Sequence, residues 1–356
     1  MKRRAWLMLT PGLMPALDIA AARAAALVFP RDRGAHPDVQ TEWWYVTGWL
    51  GSEAQPRYGF QLTFFRSRTG LAEHGRSRFA PRQLLFAHAA LSELRGPRHT
   101  HAQRIARWSG DVSAQPAHAA TRDTDIVLGH WRLQRDAGSY AARLSDAHFA
   151  LALQLQPTQP PLLQGDAGLS RKGPDAASTS RYISEPQLRV QGDISVDGRR
   201  AAMAGRAWLD HEWSDAYLPA GAVGWDWLGC NLFDGSALML FRMRRADGSS
   251  LWAGGSFRAP GQAARVFAPD EVQFSAGRTW TSAASQARYP VQWALQCPAG
   301  RFELRALMDA QELDSRASTG AIYWEGVSEL LDAQGRRVGL GYLEMTGYAA
   351  ALKMAP

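Results

Sequence analysis

Short apolar and aromatic runs, each interrupted by Gly, Asp or Pro, are the feature that most constrains this chain. Runs of this length and spacing are typical of β-strands, and they occupy residues 43–50, 58–66, 84–91, 149–155, 237–243, 302–307 and 338–348. Asp197-Gly198, Asp234-Gly235 and Asp247-Gly248 are hairpin signals. Because long helical periodicity is scarce, the sequence predicts an all-β protein of meandering antiparallel strands, as barrels or sandwiches.

The chain divides into two halves of similar size at residues 164–184, a stretch rich in Gly, Ser, Asp and Arg that resembles a crossing or a long surface loop. Its 356 residues are enough for two domains, each with its own core. Each half contains an aromatic strand, a turn and an apolar strand ending in Phe-Arg, at residues 44–66 and 225–242. We therefore predict two tandem antiparallel β-barrel domains, residues 27–185 and 186–356.

The N-terminus has the layout of an export signal: a basic start, an apolar run over residues 5–17 and small residues over 20–26. An uncleaved tail is the alternative. Removing residues 1–26 takes away four cations and one anion and lowers the net charge from +7 to +4, so nothing demands nucleic acid. We expect a periplasmic or secreted protein without a transmembrane anchor, in which Cys230 and Cys297 either pair or stay two buried thiols.

Carboxylates stand beside tryptophans in four places, and these supply the candidate site residues. The clusters are Glu42-Trp43-Trp44-Tyr45, Asp210-His211-Glu212-Trp213, Trp225-Asp226-Trp227 and Tyr323-Trp324-Glu325. Strand alternation places Trp225 and Trp227 on the face opposite Asp226. A carboxyl among aromatic walls inside a barrel stays protonated near neutral pH and can donate a proton. The structural alternative is tryptophan packing with carboxylates paired to arginines.

Several reaction classes lack their motifs. The nearest approach to a Gly-x-Ser-x-Gly elbow, residues 168–172, has no second glycine, so a serine hydrolase is unsupported. No phosphate-binding loop, dinucleotide fingerprint or His-Glu-x-x-His sequence occurs. Asp210, His211 and Glu212 are consecutive, and their side chains diverge in a strand, so we expect no metal and no other cofactor.

Longer motifs resemble the AttH-like proteins related to carotenoid 1,2-hydratase (hydroxyneurosporene synthase). The resemblance runs in order from about residue 29 to the C-terminus. Its motifs are His36-Pro37-Asp38, Thr41-Glu42-Trp43-Trp44-Tyr45-Val46-Thr47-Gly48, Gly59-Phe60-Gln61-Leu62-Thr63-Phe64-Phe65-Arg66, Gly205-Arg206-Ala207-Trp208-Leu209-Asp210-His211-Glu212-Trp213, Gly224-Trp225-Asp226-Trp227, Gln311-Glu312, Tyr323-Trp324-Glu325-Gly326 and Gly341-Tyr342-Leu343-Glu344-Met345-Thr346-Gly347-Tyr348.

This resemblance implies two lipocalin-like barrels in tandem, export, and a pocket for an elongated apolar molecule. The hydratase branch adds water to the terminal double bond of an acyclic carotenoid, by protonation to a carbocation and capture by water. At the matching positions, Asp226 would donate the proton and His211 would hydrogen-bond to it or orient water. Trp213 and Trp225 would be the walls facing the cation, and Asp210 is the alternative acid.

We therefore predict an exported protein that binds a lipid or isoprenoid in a tryptophan-rich barrel cavity, with Glu42, Trp44, Tyr323 and Glu325 as further ligand-binding residues. The alternative is a cofactor-free hydratase that protonates an isoprenoid double bond through a carboxyl group. A third possibility is an interaction module without a small-molecule cavity. The expected partner is an apolar small molecule and not nucleic acid, and the sequence leaves the oligomeric state open.

Overall fold

The structure is a computed structural model that describes residues 26–71, 77, 80–110 and 116–352. It is all-β, with two short 3₁₀ turns at Arg31–Arg33 and Pro269–Glu271. The strands are β1 Thr41–Gly51, β2 Pro56–Arg68, β3 Gln83–Glu93, β4 Arg98–Trp108, β5 Ala117–Ala119, β6 Asp125–Leu128, β7 Trp131–Asp136, β8 Ser139–Ser145, β9 Phe149–Gln156, β10 Leu162–Leu163, β11 Leu169–Arg171, β12 Thr179–Val196, β13 Arg199–Ser214, β14 Gly224–Leu232, β15 Ala237–Arg244, β16 Ser250–Arg258, β17 Arg265–Phe267, β18 Gln273–Ala276, β19 Thr279–Thr281, β20 Arg288–Pro290, β21 Gln292–Cys297, β22 Gly300–Ala306, β23 Glu312–Asp314, β24 Ile322–Asp332 and β25 Arg337–Met345.

The first sheet is an antiparallel, nearly closed barrel. Its strand order is β4-β3-β2-β1-β13-β12-β9-β8-β7-β6-β5, and β10 and β11 pair with β12. The end strands β4 and β5 approach each other, which almost closes the sheet. Its interior is filled by a cluster of buried side chains that includes Trp44, Trp108 and Trp131.

The second sheet is an antiparallel half-barrel. Its order is β17-β16-β15-β14-β25-β24-β22-β21-β18, with β23 beside β24, and β19 and β20 form a separate two-stranded sheet. Leu228, Leu240, Trp293 and Trp324 belong to its core. The prediction of an all-β chain with two antiparallel barrel-type sheets is confirmed, although the second sheet closes only halfway.

The Phe-Arg sequence that ends an apolar strand in each half supplies an arginine for the same kind of ion pair in both sheets. Glu42 on β1 lies opposite Arg66 on β2, whose Nε donates to Glu42 at 2.8 Å. Asp226 on β14 lies opposite Arg242 on β15, whose Nε donates to Asp226 at 2.7 Å. The first hairpin of each sheet therefore carries a buried cross-strand ion pair.

Some predicted features can be placed on this architecture. The boundary expected between residues 185 and 186 falls within β12, and the change of sheet comes between Ser214 on β13 and Gly224 on β14. The stretch 164–184 contains β11 and the first residues of β12, which pair with each other. Its Lys172 is 1% exposed, so the stretch is not simply a surface loop. The predicted export signal, residues 1–26, lies almost wholly outside the described residues.

Two further points concern membranes and thiols. Among the residues that the structure describes, no helix has the length and apolar character needed to cross a membrane. Cys230 and Cys297 are both buried as free thiols, and burial raises the pKa of the Cys230 thiol to about 12.

The two sheets dock through a third aromatic cluster that draws side chains from both. Tyr45, Trp49 and Trp208 come from the first sheet, and Trp227 and Tyr342 come from the second. Because Tyr45 and Trp227 meet edge to face with ring centroids 5.3 Å apart, the contact has the geometry that aromatic pairs prefer. The docked faces are thus packed like a protein core.

A glycine permits the closest approach of the two sheets. A Cβ added to Gly59 on β2 would lie 2.6 Å from Cγ1 of Val327 on β24 and 2.9 Å from the Tyr342 hydroxyl. Real Cβ atoms do not come this close to other heavy atoms, so the position requires the absence of a side chain.

We expect Gly59→Ala to destabilise the protein by about 1–3 kcal/mol through overpacking. Val327→Ala removes the methyl groups that the new Cβ would strike, so the double variant should recover part of the loss, giving a favourable coupling energy. Urea unfolding of the wild type, both single variants and the double variant measures this coupling. Strictly additive losses would show that the two residues are not in contact.

Candidate functional site

A cavity of about 260 Å³ lies between the two docked sheets. Strand alternation supplies its walls, because every second residue of β1, β13, β14, β24 and β25 points out of its own sheet and toward the other. Aromatic side chains dominate the lining: Trp43, Tyr45, Phe65, Phe86, Tyr182, Tyr217, Trp225, Trp227 and Tyr323. The cavity also contains four carboxyl groups, those of Asp210, Glu212, Glu325 and Glu344.

Glu325 and Glu344 form a carboxyl pair in the cavity wall. They are direct cross-strand partners on β24 and β25. Burial, reinforced by the neighbouring carboxyl, raises the pKa of Glu325 well above its ordinary value, and burial raises the pKa of Glu344 to about 8. Two acids this close cannot both ionise easily in an apolar setting, so the pair retains a proton near neutral pH.

Asp210 is held in the cavity wall by three hydrogen bonds. The Tyr182 hydroxyl donates to its Oδ2, and the Ser184 hydroxyl and Trp208 Nε1 donate to its Oδ1, each at 2.6 Å. Burial outweighs these bonds and raises the pKa of Asp210 to about 7. Trp227 Nε1 in turn donates to the Tyr182 hydroxyl at 2.9 Å, which links the second sheet to this acid.

Glu212 is the cavity acid that has a cationic partner. Lys172 Nζ lies 2.7 Å from its Oε1, and the Ser180 hydroxyl donates to the same oxygen. Lys172 also lies over the rings of Tyr182 and Phe241, at 4.6 and 4.5 Å from their centroids. Burial raises the pKa of Glu212, whereas Lys172 opposes that shift. The ion pair therefore suits this acid to holding the segment that carries Lys172 in place.

A chain of hydrogen bonds leads from the cavity through His88 toward the loop before β24. His88 Nδ1 lies 2.6 Å from the Tyr323 hydroxyl, and its Nε2 lies 2.8 Å from the Ser318 hydroxyl. The Gln103 amide nitrogen donates to a backbone carbonyl, so its oxygen accepts from Ser318 at 2.7 Å.

The protonation state of His88 follows from that chain. Burial lowers the pKa of His88 to about 3, so the ring is neutral. Because Ser318 donates its proton to Gln103, it accepts one from His88 Nε2. Nδ1 is therefore unprotonated and accepts a hydrogen bond from the Tyr323 hydroxyl. Tyr323, in the cavity wall, thus donates its hydroxyl proton to a neutral imidazole as a hydrogen bond.

Asp226, predicted as the proton donor, lies outside the cavity. It faces the interior of the second sheet, where it accepts from Arg242 Nε at 2.7 Å and from the Tyr348 hydroxyl at 2.9 Å. Arg244 Nε stands 3.9 Å away. The physical reason is alternation, since Trp225 and Trp227 point into the cavity and the residue between them must point away.

Glu42, Trp44, His211 and Trp213 form a separate buried group inside the first barrel and do not line the cavity. Glu42 Oε1 lies 2.9 Å from His211 Nε2 and 2.7 Å from His36 Nδ1. The His211 ring stacks on Trp44, and Trp213 stacks on His36. The structure therefore places the His211 side chain away from the side chains of Asp226 and Asp210. The predicted site residues lie in separate environments and not in one cavity.

His36, Glu42 and His211 also have the donor types of a metal site, with ligand atoms all within 4.8 Å of one another. Both oxygens of Glu42 are already engaged, since its Oε2 accepts from Arg66 Nε at 2.8 Å and from the His36 backbone at 2.9 Å. A guanidinium beside the carboxylate opposes a second cation there. These contacts fit a buried ion-pair network, and they stabilise the ionised form by lowering the pKa of Glu42.

The structure brings Asp210, Trp225, Tyr323 and Glu325, out of the predicted residues, to one cavity. Trp43, Tyr45 and Glu212 belong to the predicted clusters but were not chosen as site residues, and His88 and Glu344 are among the cavity residues that sequence reasoning did not assign to the site. Alternation from Tyr342 would have placed Glu344 on the same face of β25, an acid in an otherwise apolar strand. His88 had no such signal, because its partners Tyr323 and Ser318 are remote in sequence.

These features define an all-β protein of two docked antiparallel sheets with a carboxyl-rich aromatic cavity between them. A family model described as AttH-like matches residues 20–348, and the chain belongs to that family. The resemblance predicted from the sequence motifs is thereby confirmed. A comparison with curated proteins finds no significant match.

Solved structures show the same architecture. A protein from Nitrosomonas europaea assigned to AttH is 45% identical, with a TM-score of 0.83 over 92% of this chain and 98% of that chain. Kievitone hydratase from Nectria haematococca is 13% identical, with a TM-score of 0.68 over 92% and 94%. CghA is 12% identical, with a TM-score of 0.53 over 90% of both chains. At the two low identities, the similarity shows the fold alone.

The raised carboxyl pKa values predict a pH dependence of stability. The pKa of Glu344 rises from 4.5 in the unfolded chain to about 8, so the folded state binds more protons and the free energy of unfolding falls as pH rises across this window. We expect Glu344→Gln to flatten that fall between pH 5 and pH 8, as measured by urea unfolding.

Glu303→Gln is the matched control. Glu303 is paired with Arg305, which lowers its pKa, so it is ionised in both states throughout this window and its removal should leave the slope unchanged. A Glu344→Gln variant whose stability falls as steeply as that of the wild type would contradict the assignment.

Proposed function

We propose that this protein binds a compact, mainly apolar molecule in the cavity between its sheets and protonates it through the Glu325–Glu344 pair, as a cofactor-free catalyst of the hydratase type. The observation that carries the proposal is a cross-strand acid pair, with raised pKa values, in an aromatic wall. Such a carboxyl is protonated near neutral pH and is able to act as a general acid.

The reaction is balanced without a cofactor. The carboxyl O–H bond breaks, and the proton forms a new C–H bond with one carbon of a double bond, leaving positive charge on the other carbon. Water then forms a C–O bond to that carbon and returns a proton to the carboxylate. Trp43, Trp225 and Trp227 line the cavity, and an aromatic ring whose face is turned toward the transient cation would favour it.

The size of the cavity narrows the ligand class. At about 260 Å³ it lies near the lower end of ligand-binding cavities. It therefore suits a compact molecule, or one end of an elongated lipid or isoprenoid whose remainder stays outside. Both barrel interiors contain tightly buried clusters, so this interface, and not a barrel lumen, supports the proposal.

The similarity to kievitone hydratase adds limited support. The name of that protein describes a hydration reaction, and its fold matches that of this protein over most of both chains. A two-sheet fold of this kind is therefore compatible with hydratase chemistry. The argument for this chain rests on its own carboxyl pair.

The test uses 6-methyl-5-hepten-2-one, a compact isoprenoid with a trisubstituted double bond, in ¹⁸O-labelled water. The expected result is a labelled tertiary alcohol, detected by gas chromatography and mass spectrometry. Glu325→Gln removes the general acid, so the rate of hydration should fall by about 10²-fold or more in this variant. Full activity in that variant would remove Glu325 as the donor.

Asp226→Asn is the matched comparison. Asp226 does not line the cavity, so this variant should keep its activity per folded molecule. The reverse pattern would restore the sequence-based assignment of Asp226 as the acid. If the wild type is inactive but mass spectrometry of gently purified protein reveals an unchanged apolar molecule, the protein is a binder without catalysis.

We also propose that the protein is exported to the periplasm or beyond. The support is the basic start, apolar run and small residues of segment 1–26. The expected mature N-terminus is near residue 27, as measured by N-terminal sequencing after cell fractionation. Full-length protein confined to the cytosol would contradict export.

A further inference from the structure

Two buried polar atoms in the cavity wall lack partners. Among the described residues, none hydrogen-bonds to the Tyr45 hydroxyl or to Glu325 Oε2. Tyr45 is 4% exposed and Glu325 is 3% exposed, and both side chains line the cavity. Leaving a buried polar group unpaired costs about 1–3 kcal/mol, so native proteins rarely tolerate it without a functional reason.

The other polar groups of the wall make the contrast clear. Asp210 accepts three hydrogen bonds, and Tyr182 and Tyr323 have protein partners. The orphaned pair comes from opposite sheets, with Tyr45 on β1 and Glu325 on β24. Burial raises the pKa of the Tyr45 hydroxyl, and Glu325 adds most to that shift among the carboxyls of the same cavity.

The hydrogen-bonding capacity of the two groups is complementary to an oxygen atom. A tyrosine hydroxyl donates one hydrogen bond and accepts others, and a protonated carboxyl can donate or accept. A carbonyl oxygen can accept from both groups. A hydroxyl can accept from Tyr45 while donating to Glu325. A hydrocarbon satisfies neither group.

We propose that the ligand presents a hydroxyl or carbonyl oxygen to Tyr45 and Glu325, so that the substrate class is an oxygenated, compact, mainly apolar molecule. This inference rests on the proposed function in taking the interface cavity as the ligand site. It adds a polar subsite in which Tyr45 is a binding residue. Glu325 then both holds the oxygen and stands next to the second acid of its pair.

The test compares 2-naphthol with naphthalene, two probes of nearly the same shape that differ by one hydroxyl. Isothermal titration calorimetry measures both affinities for the full-length protein. In Tyr45→Phe, we expect about tenfold weaker binding of 2-naphthol with unchanged binding of naphthalene, because one buried hydrogen bond is lost. Tyr289→Phe, a buried tyrosine in the core of the second sheet, should change neither affinity.

A stability measurement separates binding from folding. Removing an unpartnered buried hydroxyl should leave the melting temperature of Tyr45→Phe equal to or above that of the wild type. A marked loss of stability would show that the hydroxyl has a structural role and would overturn the inference. Equal weakening of both probes in Tyr45→Phe, or no binding of 2-naphthol to the wild type, would overturn it as well.

Glu325→Gln distinguishes this inference from the proposed function. The amide still hydrogen-bonds to an oxygen, so 2-naphthol should bind within about threefold of the wild-type affinity, whereas the alkene should no longer be converted. Conversion that persists in Glu325→Gln removes the proposed acid and leaves the oxygen subsite standing. If the subsite is absent, the wild type already fails to discriminate between 2-naphthol and naphthalene, whether or not it converts the alkene. The two proposals therefore fail through different measurements.

Discussion

Alternation of side chains across the strands at the sheet interface decides the surroundings of Glu42, Asp226, Glu325 and Glu344. Glu42 and Asp226 point into their own sheets and each meets an arginine, Arg66 or Arg242. Glu325 and Glu344 point outward into the space between the sheets, where they face each other and aromatic rings. A shift of one residue in strand register would exchange the two sets, so the separation of arginine-paired carboxyls from cavity carboxyls is a property of the register.

Burial by itself favours the neutral form of Glu42 as it does that of Glu325 and Glu344, and the partners of each group decide the direction of its pKa shift. At Glu42 the hydrogen bonds to His211 and His36, together with the charge of Arg66, outweigh desolvation and lower the pKa. Without such a cation, desolvation favours the neutral acid, as in the raised pKa values of Glu325 and Glu344. The free-energy cost of keeping these polar groups at the interface is offset by the aromatic packing around them, in which Tyr45, Trp49 and Trp227 bury large apolar areas.

Much of the fold could be predicted from the sequence, because its signals are local. Runs of apolar residues located the strands, Asp197-Gly198 located the β12–β13 hairpin, and the Phe-Arg echo corresponded to a shared ion-pair device. The site could be predicted only in part. Alternation separates Asp226 from Trp225 and Trp227, and the structure places the two tryptophans, but not Asp226, in the cavity wall.

What the sequence could not provide is the docking of one sheet on the other. Local pattern groups residues by face, but it does not say which face meets the second sheet, and long-range partners such as Tyr323 and His88 carry no sequence signature. The same limit explains why a pocket was expected inside a barrel. A single lipocalin-like barrel encloses its ligand within one domain, whereas here the interiors are occupied by packed side chains.

The cavity between the sheets exists only when the two sheets are docked. The hydrogen bonds from Trp227 to Tyr182 and from Tyr323 to His88 both cross between the sheets and both belong to the cavity wall. Tyr45 comes from one sheet and Glu325 from the other, so neither half of the chain contains the complete set. Because Gly59 allows Val327 to approach so closely, even a small steric addition there would move the cavity residues of one sheet away from those of the other. The contacts that hold the two sheets together are therefore the same contacts that position the cavity acids.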